Sequence, residues 1–230
     1  MKPYYQDDYV TLYHGDCLEV TEWLEADVLV TDPPYGMWYQ PRGYYNAQTG
    51  KTSPATTSPV ANDASTTVRD AALAAWGEKP AMVFGTWRIP RPESTLHRLI
   101  WWKQGQAPGP ARAPFLLQDE EIYVLGEGWV ASSPPKRSVI ATSEPRQGKH
   151  GAVGQIGHPT PKPLPLMEWL IERCQPEWII ADPFAGSGAT LIAARNLKRR
   201  AIGVELEERY CEIAAQRLSQ DVLDLEGLTA

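Results

Sequence analysis

Short apolar segments recur along the chain and predict β-strands. They are four or five residues long and are separated by stretches that are richer in glycine, proline and polar residues. Seven segments have strand character: Val10–Tyr13, Val28–Thr31, Ala81–Gly85, Leu99–Trp102, Ile122–Leu125, Trp178–Ala181 and Ala201–Glu205.

The last third of the chain adds apolar positions at helical spacing. They predict three helices, in MEWLIERC (167–174), ATLIAARNLKR (189–199) and EERYCEIAAQRL (207–218). The first follows a proline-rich segment, and proline suits a first helical turn because the N–H groups there have no partner within the helix. Strands and helices alternate in this region, which favours βαβ units and a mostly parallel sheet in an α/β fold.

Two stretches do not fit this scheme. Residues 40–66 are rich in Ser, Thr, Ala and Pro, and residues 126–158 carry Gly, Pro, Ser and basic residues. Loops of this length are usually functional or disordered. A chain of 230 residues fits one domain. We therefore predict a single domain over residues 1–230.

Composition narrows the class of protein. With 43% hydrophobic and 22% charged residues the chain is ordinary for a soluble protein, and no apolar run reaches the length of a membrane span. The polar N-terminus lacks the apolar core of a signal peptide, and the three cysteines have no pairing or metal spacing, which predicts reduced thiols in the cytoplasm. The four histidines show no metal spacing.

A net charge of −6 does not by itself indicate nucleic acid binding, although basic residues cluster locally. Four tryptophans are interpreted as core residues: Trp87, Trp101, Trp102 and Trp129.

The sequence ADVLVTDPPYGMW (26–38) ends an apolar strand in an aspartate, two prolines and a tyrosine. Neither proline has an N–H group, so the turn offers only acceptors: the Asp32 carboxylate and the carbonyls of Asp32, Pro33 and Pro34. Tyr35 adds a flat aromatic face. An acceptor-only pocket with an aromatic wall suits a flat molecule that carries an amino group. The alternative is a plain strand-ending turn, because Asp-Pro and Pro-Pro are common turn signals.

A second pattern, EWIIADPFAGSGATLIAARNLKRRAIGVELEERY (177–210), combines a strand, a glycine loop, a helix and a strand that ends in Glu205. This order is typical of nucleotide-type cofactor sites, in which glycines let the backbone approach the ligand and the acid accepts from ribose hydroxyls. The third glycine of dinucleotide sites is missing, and no Arg or Lys lies between Pro183 and Ala194 to bind a pyrophosphate. Asp182 stands at the start of the loop. Carboxylates suit the sulfonium and ammonium groups of S-adenosylmethionine, so this cofactor fits better than NAD.

With both patterns present, the chain resembles the amino-methyltransferases of DNA, which methylate N6 of adenine or N4 of cytosine. DPPY looks like the catalytic motif of that family, and DPFAGSGAT (182–190) looks like its cofactor loop. GHPTPKPLPLMEWLI (157–171) and LYHGDCLEV (12–20) resemble the segments that precede the cofactor loop and the catalytic motif. Because the catalytic motif comes first, the order is that of the permuted group often called β. The resemblance implies a Rossmann-like, seven-stranded, mostly parallel sheet with helices on both faces, the class I methyltransferase fold.

The resemblance also implies roles for individual residues. Asp16 would reach the adenine amino group of the cofactor, Glu205 would bind its ribose, and Thr160 and Lys162 would hold its methionine end. The expected catalytic residues are Asp32, Pro33, Pro34 and Tyr35. The residues expected to bind S-adenosyl-L-methionine are Asp16, Thr160, Lys162, Asp182, Pro183, Phe184, Ala185, Gly186, Ser187, Gly188 and Glu205.

The expected reaction is methyl transfer to N6 of an adenine that has left the double-stranded DNA. Asp32 and the Pro33 carbonyl would accept the two amine hydrogens, and Tyr35 would stack on the base. An aspartate at the first motif position favours adenine, whereas a serine would favour cytosine N4. Methylation of an RNA base or a protein amide, and a DNA-binding module without turnover, are the further alternatives.

The resemblance covers most of the chain except the variable loops at about 36–80 and 126–156, and it makes these loops candidate insertions for target recognition, where DNA contacts are expected. Their basic residues suit phosphate contacts, and Trp38 and Tyr39, just after DPPY, are candidates for shaping the base pocket. A homodimer and a cognate restriction endonuclease are compatible with this interpretation. The candidate DNA-binding residues are Arg42, Lys136, Arg137, Arg146 and Lys149.

Overall fold

A computed structural model describes residues 1–38, 45–46, 51–52, 61–104, 115, 117–131, 134–142 and 161–226. In chain order the strands are β1 (Tyr5–Gln6), β2 (Val10–His14), β3 (Val28–Thr31), β4 (Tyr45–Asn46), β5 (Lys51–Thr52), β6 (Ala81–Gly85), β7 (Thr95–Lys103), β8 (Asp119–Leu125), β9 (Val139–Thr142), β10 (Ile180–Asp182) and β11 (Ala201–Glu205). The helices are α1 (Thr67–Trp76), α2 (Leu164–Ile171), α3 (Ala189–Asn196) and α4 (Glu208–Glu226), and a short 3-10 helix spans Glu22–Glu25.

Within these described ranges nine strands form one sheet, in the order β1-β2-β11-β10-β3-β6-β8-β7-β9, and β4 pairs with β5 separately. The predicted number of seven strands is therefore wrong, although each predicted segment contributes a strand. The two additional strands, β1 and β9, lie at the edges. An edge strand needs only one neighbour, so two residues of β1 and a short segment inside the predicted loop 126–156 can join the sheet without a strong apolar pattern.

The sheet is mostly parallel, as predicted. β2, β11, β10, β3 and β6 run in the same direction, whereas β8 runs antiparallel to both β6 and β7. From β10 the chain continues through α3 to β11 on one side, and from β3 it continues through α1 to β6 on the other. The neighbours β10 and β3 therefore mark a switch point, and open α/β sheets bind ligands in the crevice at the carboxyl ends of such strands.

Helices cover both faces of the sheet. On one face, Val28 and Val30 of β3 belong to a core that includes residues of α2, α3 and α4. On the other face, Leu29 packs in a second core with the 3-10 helix and α1, where Trp23 and Trp76 stack with ring centroids 5.7 Å apart. Side chains alternate across a strand, so β3 is buried on both faces and its carboxyl end is held rigidly.

Some predicted local features differ from the structure. α1 lies within the predicted variable stretch 36–80, and α2 starts at Leu164 and ends at Ile171, before the end of MEWLIERC. Trp101 is buried, but Trp87 and Trp102 are 64% and 44% exposed, so the core interpretation is wrong for those two. In the described part of the chain no helix has the length and apolar character needed to span a membrane.

Candidate active site

The carboxyl ends of the central strands surround a cavity of about 310 Å³. Four acidic residues lie at or just after the ends of these strands: Asp16 after β2, Asp32 after β3, Asp182 at the end of β10 and Glu205 at the end of β11. They lie at the same edge of the sheet because parallel neighbours have their carboxyl ends at the same edge. The predicted site residues that line the cavity are Asp16, Asp32, Pro33, Pro34, Tyr35, Lys162, Asp182, Pro183, Phe184, Ala185, Gly186, Ser187 and Glu205.

The DPPY turn holds its aspartate at the cavity wall. The Tyr35 hydroxyl donates a hydrogen bond of 2.8 Å to Oδ1 of Asp32 and lies 3.4 Å from Oε2 of Glu120. Pro33 is buried, and the Tyr35 ring packs against the core. The aspartate and the aromatic ring are thus fixed relative to each other.

Lys162 contacts the DPPY turn. Its ammonium donates to Oδ2 of Asp32 at 2.5 Å and lies 3.3 Å from Oε2 of Glu120, with 7% of the side chain exposed. Lys103 pairs with the other oxygen of Glu120 and lies 4.5 Å from the centre of the Trp101 ring. Lys162, which was predicted to hold the methionine end of the cofactor, therefore forms an ion pair with Asp32. Two carboxylates and two ammonium groups form one network.

Burial and neighbouring charges move the pKa values of this network in different directions. Burial raises the pKa of Asp32, and Glu120 adds to the rise while Lys162 opposes it. Burial would also raise the pKa of Glu120, but Lys162 and Lys103 outweigh it and the net pKa is lowered. Burial would lower the pKa of Lys162, but Asp32 and Glu120 reverse the effect and the pKa is raised. Asp32 is therefore the carboxylate of the network that binds a proton most readily.

Asp182 anchors the glycine loop to the sheet. Its Oδ1 accepts from the Thr31 hydroxyl at 2.6 Å and from the Phe184 N–H at 3.1 Å, and its Oδ2 accepts from the Thr190 hydroxyl at 2.5 Å. Burial raises the pKa of this carboxyl to about 7, although the hydrogen bonds oppose the rise. Asp182 thus ties β3, the loop and α3 together at the cavity wall.

Glu205 joins the end of β11 to the glycine loop. One carboxylate oxygen accepts from the Gly186 N–H and the other from the Glu207 N–H, each at 2.7 Å. Burial raises the pKa of Glu205, although these two hydrogen bonds oppose the rise. The positive φ of 81° at Gly188 favours glycine, and a Cβ there would lie 2.9 Å from the Cβ of Ala214. The absence of a side chain at Gly188 therefore lets the glycine loop pack closely on α4.

The charges around the cavity fit a cationic cofactor. Among the described residues that line it, Lys162 carries the one ammonium, and seven carry carboxylates: Asp16, Asp32, Asp63, Glu120, Asp182, Glu205 and Glu207. Such a wall opposes a pyrophosphate and favours a sulfonium and an ammonium group. The acid at the end of β11 and the closely packed glycine loop fit a nucleoside. The donor set therefore fits S-adenosyl-L-methionine.

Asp63 holds the segment that follows DPPY. Its carboxylate accepts from the N–H groups of Gly36 at 2.7 Å and Met37 at 3.3 Å, and its carbonyl accepts from Trp38 at 2.7 Å. Met37 lines the cavity, whereas the Trp38 side chain is 68% exposed and has a positive φ of 52°. Met37, rather than Trp38, therefore shapes the cavity wall in this structure.

Several predicted residues lie away from the cavity. Lys136 and Arg137 are exposed and line a separate cleft beside Trp169 and Arg173. Gly188 supports the loop without lining the cavity. The remaining predicted positions lie outside the described residues: Tyr39, Arg42, Arg146, Lys149 and Thr160.

Sequence reasoning missed Glu120, Lys103 and Asp63. Glu120 lies near the amino end of β8, and it reaches the cavity because β8 runs antiparallel to β6. An acidic residue at the start of a strand gives no local signal for this placement. The apolar segment Ile122–Leu125 predicted only a strand, and only the sheet order connects Glu120 with DPPY.

The chain is similar to known DNA methyltransferases. The family model N6_N4_Mtase, described as DNA methylase, matches residues 26–216. Type II methyltransferase M.ScaI from Streptomyces caespitosus is 26% identical over 97% of this chain and 86% of its own length. The structure of PvuII DNA methyltransferase, named cytosine-N4-specific, has a TM-score of 0.62 at 16% identity, covering 93% of this chain and 88% of that one. TTHA0409, a putative DNA modification methylase from Thermus thermophilus solved with S-adenosyl-L-methionine, has a TM-score of 0.57 at 22% identity, covering 92% and 93%.

The two kinds of comparison agree. The structural neighbours have the fold described above, and the family match includes both DPPY and the glycine loop. The chain therefore belongs to the N6/N4 DNA methylase family, a family of S-adenosyl-L-methionine-dependent DNA amino-methyltransferases.

Proposed function

We propose that this protein transfers a methyl group to N6 of adenine in double-stranded DNA. The observation that carries the proposal is the position of Asp32 and Tyr35, fixed by a 2.8 Å hydrogen bond, in the same cavity as the glycine loop and Glu205. An aspartate as the first residue of the motif supports adenine over cytosine N4, on the family resemblance.

The DPPY turn would act on the exocyclic amine of the base. The lone pair of this nitrogen is delocalised into the ring, so the amine is a poor nucleophile. The Asp32 carboxylate and the Pro33 carbonyl accept its two hydrogens and favour a tetrahedral nitrogen, so the chain stabilises the charge that develops there. The nitrogen loses one proton when it takes the methyl group, and Asp32, whose pKa is raised by burial, can hold that proton.

The bound cofactor supplies an electrophilic methyl group on its sulfonium. Asp16 would bind the adenine amino group, Glu205 the ribose hydroxyls, and Thr160 and Lys162 the methionine end. Asp16 and Glu205 both line the cavity, after neighbouring parallel strands, and both carry acceptors, which supports the first two roles. Lys162 also forms an ion pair with Asp32, so it would act on this carboxylate as well as on the cofactor.

The target base has to leave the duplex to reach Asp32, and the Tyr35 ring would then stack on it. Lys136 and Arg137 are exposed and have the charge for phosphate contacts. The contribution of these contacts would fall with increasing salt, because each one releases a counterion.

The test is to incubate the purified protein with unmethylated DNA and S-adenosyl-L-methionine and to identify the methylated nucleosides by mass spectrometry. We expect N6-methyladenine from the wild type and none from Asp32→Ala. N4-methylcytosine would replace the proposed base and keep the mechanism. The absence of both, with cofactor binding intact, would overturn DNA methylation.

A further inference from the structure

Both carboxylate oxygens of Asp32 are engaged by protein donors. Oδ1 accepts from the Tyr35 hydroxyl at 2.8 Å, and Oδ2 accepts from the Lys162 ammonium at 2.5 Å. The proposed function requires Asp32 to accept from the amine of a base. A buried ammonium at this distance competes strongly for the same oxygen, because a charged donor forms a stronger bond than a neutral amine.

Glu120 offers this ammonium a second position. Its Oε2 lies 3.3 Å from Nζ of Lys162 and 3.4 Å from the Tyr35 hydroxyl. Both carboxylates line the cavity. Lys162 can thus move its contact from one carboxylate to the other without losing an ionic partner. Its side chain is 7% exposed, so water would replace a lost partner poorly.

Lys103 keeps Glu120 in place for this exchange. It pairs with Oε1 of Glu120 and rests over the Trp101 ring at 4.5 Å. Lys162 and Lys103 together lower the pKa of Glu120 against the effect of burial, and Oε2 of Glu120 lies 3.3 Å from Lys162. A simple structural ion pair between Glu120 and Lys103 would not require the other oxygen to face the cavity and the catalytic motif.

We propose that Glu120 is a positioning residue, which draws Lys162 away from Asp32 when the amino group of the base enters. This rests on the proposed function, because it assigns a role in the same reaction. Without Glu120, Lys162 keeps Asp32 as its acidic partner in the network, and the acceptor that the amine needs stays occupied. Glu120 thereby acts on the reacting nitrogen through Lys162 and Asp32.

The kinetic test compares Glu120→Gln with wild type at saturating cofactor. We expect kcat to fall about 10- to 100-fold, while KM for DNA changes less than about threefold, since the acceptor is misplaced and the DNA contacts remain. Lys162→Met alone measures the cost of losing the proposed contact of Lys162 with the cofactor. In that background Glu120→Gln should lower kcat at least about fivefold less than it does in the wild type, because the competing ammonium is gone. Asp119→Asn removes an exposed carboxylate one position earlier, on the opposite side of β8, and should retain wild-type kcat.

A second measurement does not depend on turnover. Protein labelled with ¹³C at the aspartate carboxyl allows the titration of Asp32 to be followed by NMR, with Asp32→Asn for assignment. In Glu120→Gln the pKa of Asp32 should fall, because the charge of Glu120 raises it and Lys162 is then held on Asp32 alone. Asp119→Asn should leave that titration unchanged.

Three outcomes overturn the role of Glu120 and are distinct from failure of the proposed function. The first is a wild-type kcat in Glu120→Gln, and the second is a loss in the double variant that equals the product of the two single losses. The third is an unchanged Asp32 titration in Glu120→Gln, which decides the matter even if the wild type methylates neither adenine nor cytosine. Failure of the proposed function would instead appear in the wild type itself, as no methylated nucleoside.

Discussion

The hydroxyl of Thr31 in β3 donates a 2.6 Å hydrogen bond to Oδ1 of Asp182 in β10. The two strands are neighbours at the switch point, so the bond joins the strand that leads into DPPY to the strand that leads into the glycine loop. The Thr190 hydroxyl of α3 binds the other oxygen at 2.5 Å. A single buried carboxylate therefore links the strand that precedes DPPY to the glycine loop and to α3.

This carboxylate should make stability depend on pH. Its pKa is raised from 3.8 to about 7 in the folded protein, so the folded state binds more protons than the unfolded state between these values. The contribution of Asp182 to the free energy of unfolding is thus present at low pH and is lost as pH rises toward 7. We expect the free energy of unfolding of the wild type, relative to that of Asp182→Asn, to decrease as pH rises over this range. Urea unfolding of both proteins at about pH 5 and about pH 8 measures it, and an equal difference at both pH values would contradict the assignment.

Glu205→Gln should weaken cofactor binding about 10- to 100-fold, without abolishing the fold. An amide has one acceptor oxygen, so its NH₂ group faces the N–H of either Gly186 or Glu207, each of which donates to Glu205 at 2.7 Å. Calorimetric titration with S-adenosyl-L-methionine measures the effect. Glu208→Gln changes an exposed acid nearby and should keep wild-type affinity. Equal affinity in both variants would rule out a role for Glu205 in holding the cofactor.

Gly188→Ala should lower both stability and cofactor affinity. A Cβ would require strained backbone at φ 81° and would lie 2.9 Å from Ala214, so we expect a loss of about 1–2 kcal/mol or more in unfolding free energy. Gly77→Ala is the matched comparison, because Gly77 also has a positive φ of 76° but has no atom within 4 Å of the added Cβ. That variant should lose stability and bind the cofactor normally. Normal cofactor binding by Gly188→Ala would show that close packing on α4 does not shape the site.

Asp63→Ala should raise KM for DNA several-fold and leave the affinity for the cofactor nearly unchanged. The carboxylate holds the backbone of Gly36 and Met37, and its loss frees the segment beside Tyr35. Steady-state kinetics with DNA varied at saturating cofactor separates the two effects. Asp8→Ala, at an exposed position before β2, is the control. A change in cofactor affinity with an unchanged KM for DNA would contradict this prediction, because Asp63 would then support the cofactor site instead of the DNA site.

Combined Lys136→Met and Arg137→Met should weaken DNA binding and reduce the dependence of log Kd on log salt by about one for each phosphate that the variant no longer binds. Both side chains are exposed, so the substitutions should not affect folding. Fluorescence anisotropy with labelled duplex DNA at several salt concentrations tests this. Lys2→Met controls for a general loss of positive charge at an exposed position. An unchanged salt slope in the double variant would place the DNA path elsewhere on the surface.

The sequence by itself determined the local elements and the two chemical motifs. Apolar runs predicted Val28–Thr31 and the other central strands, and DPPY and the glycine loop follow strands whose parallel arrangement implied that their ends would meet. These features depend on residues that are close in the chain. The number of strands was wrong because edge strands such as Tyr5–Gln6 are short and carry little pattern.

Only the tertiary structure decided which distant groups meet at the site. Lys162 and Asp32 are 130 positions apart, and Glu120 reaches them because β8 is antiparallel to β6. The pattern of apolar positions reports which face of an element is buried, but it does not report which element lies beside it. The ion pairs, and with them the pKa of Asp32, depend on distances of a few ångströms, and the order of strands in the sheet sets these distances.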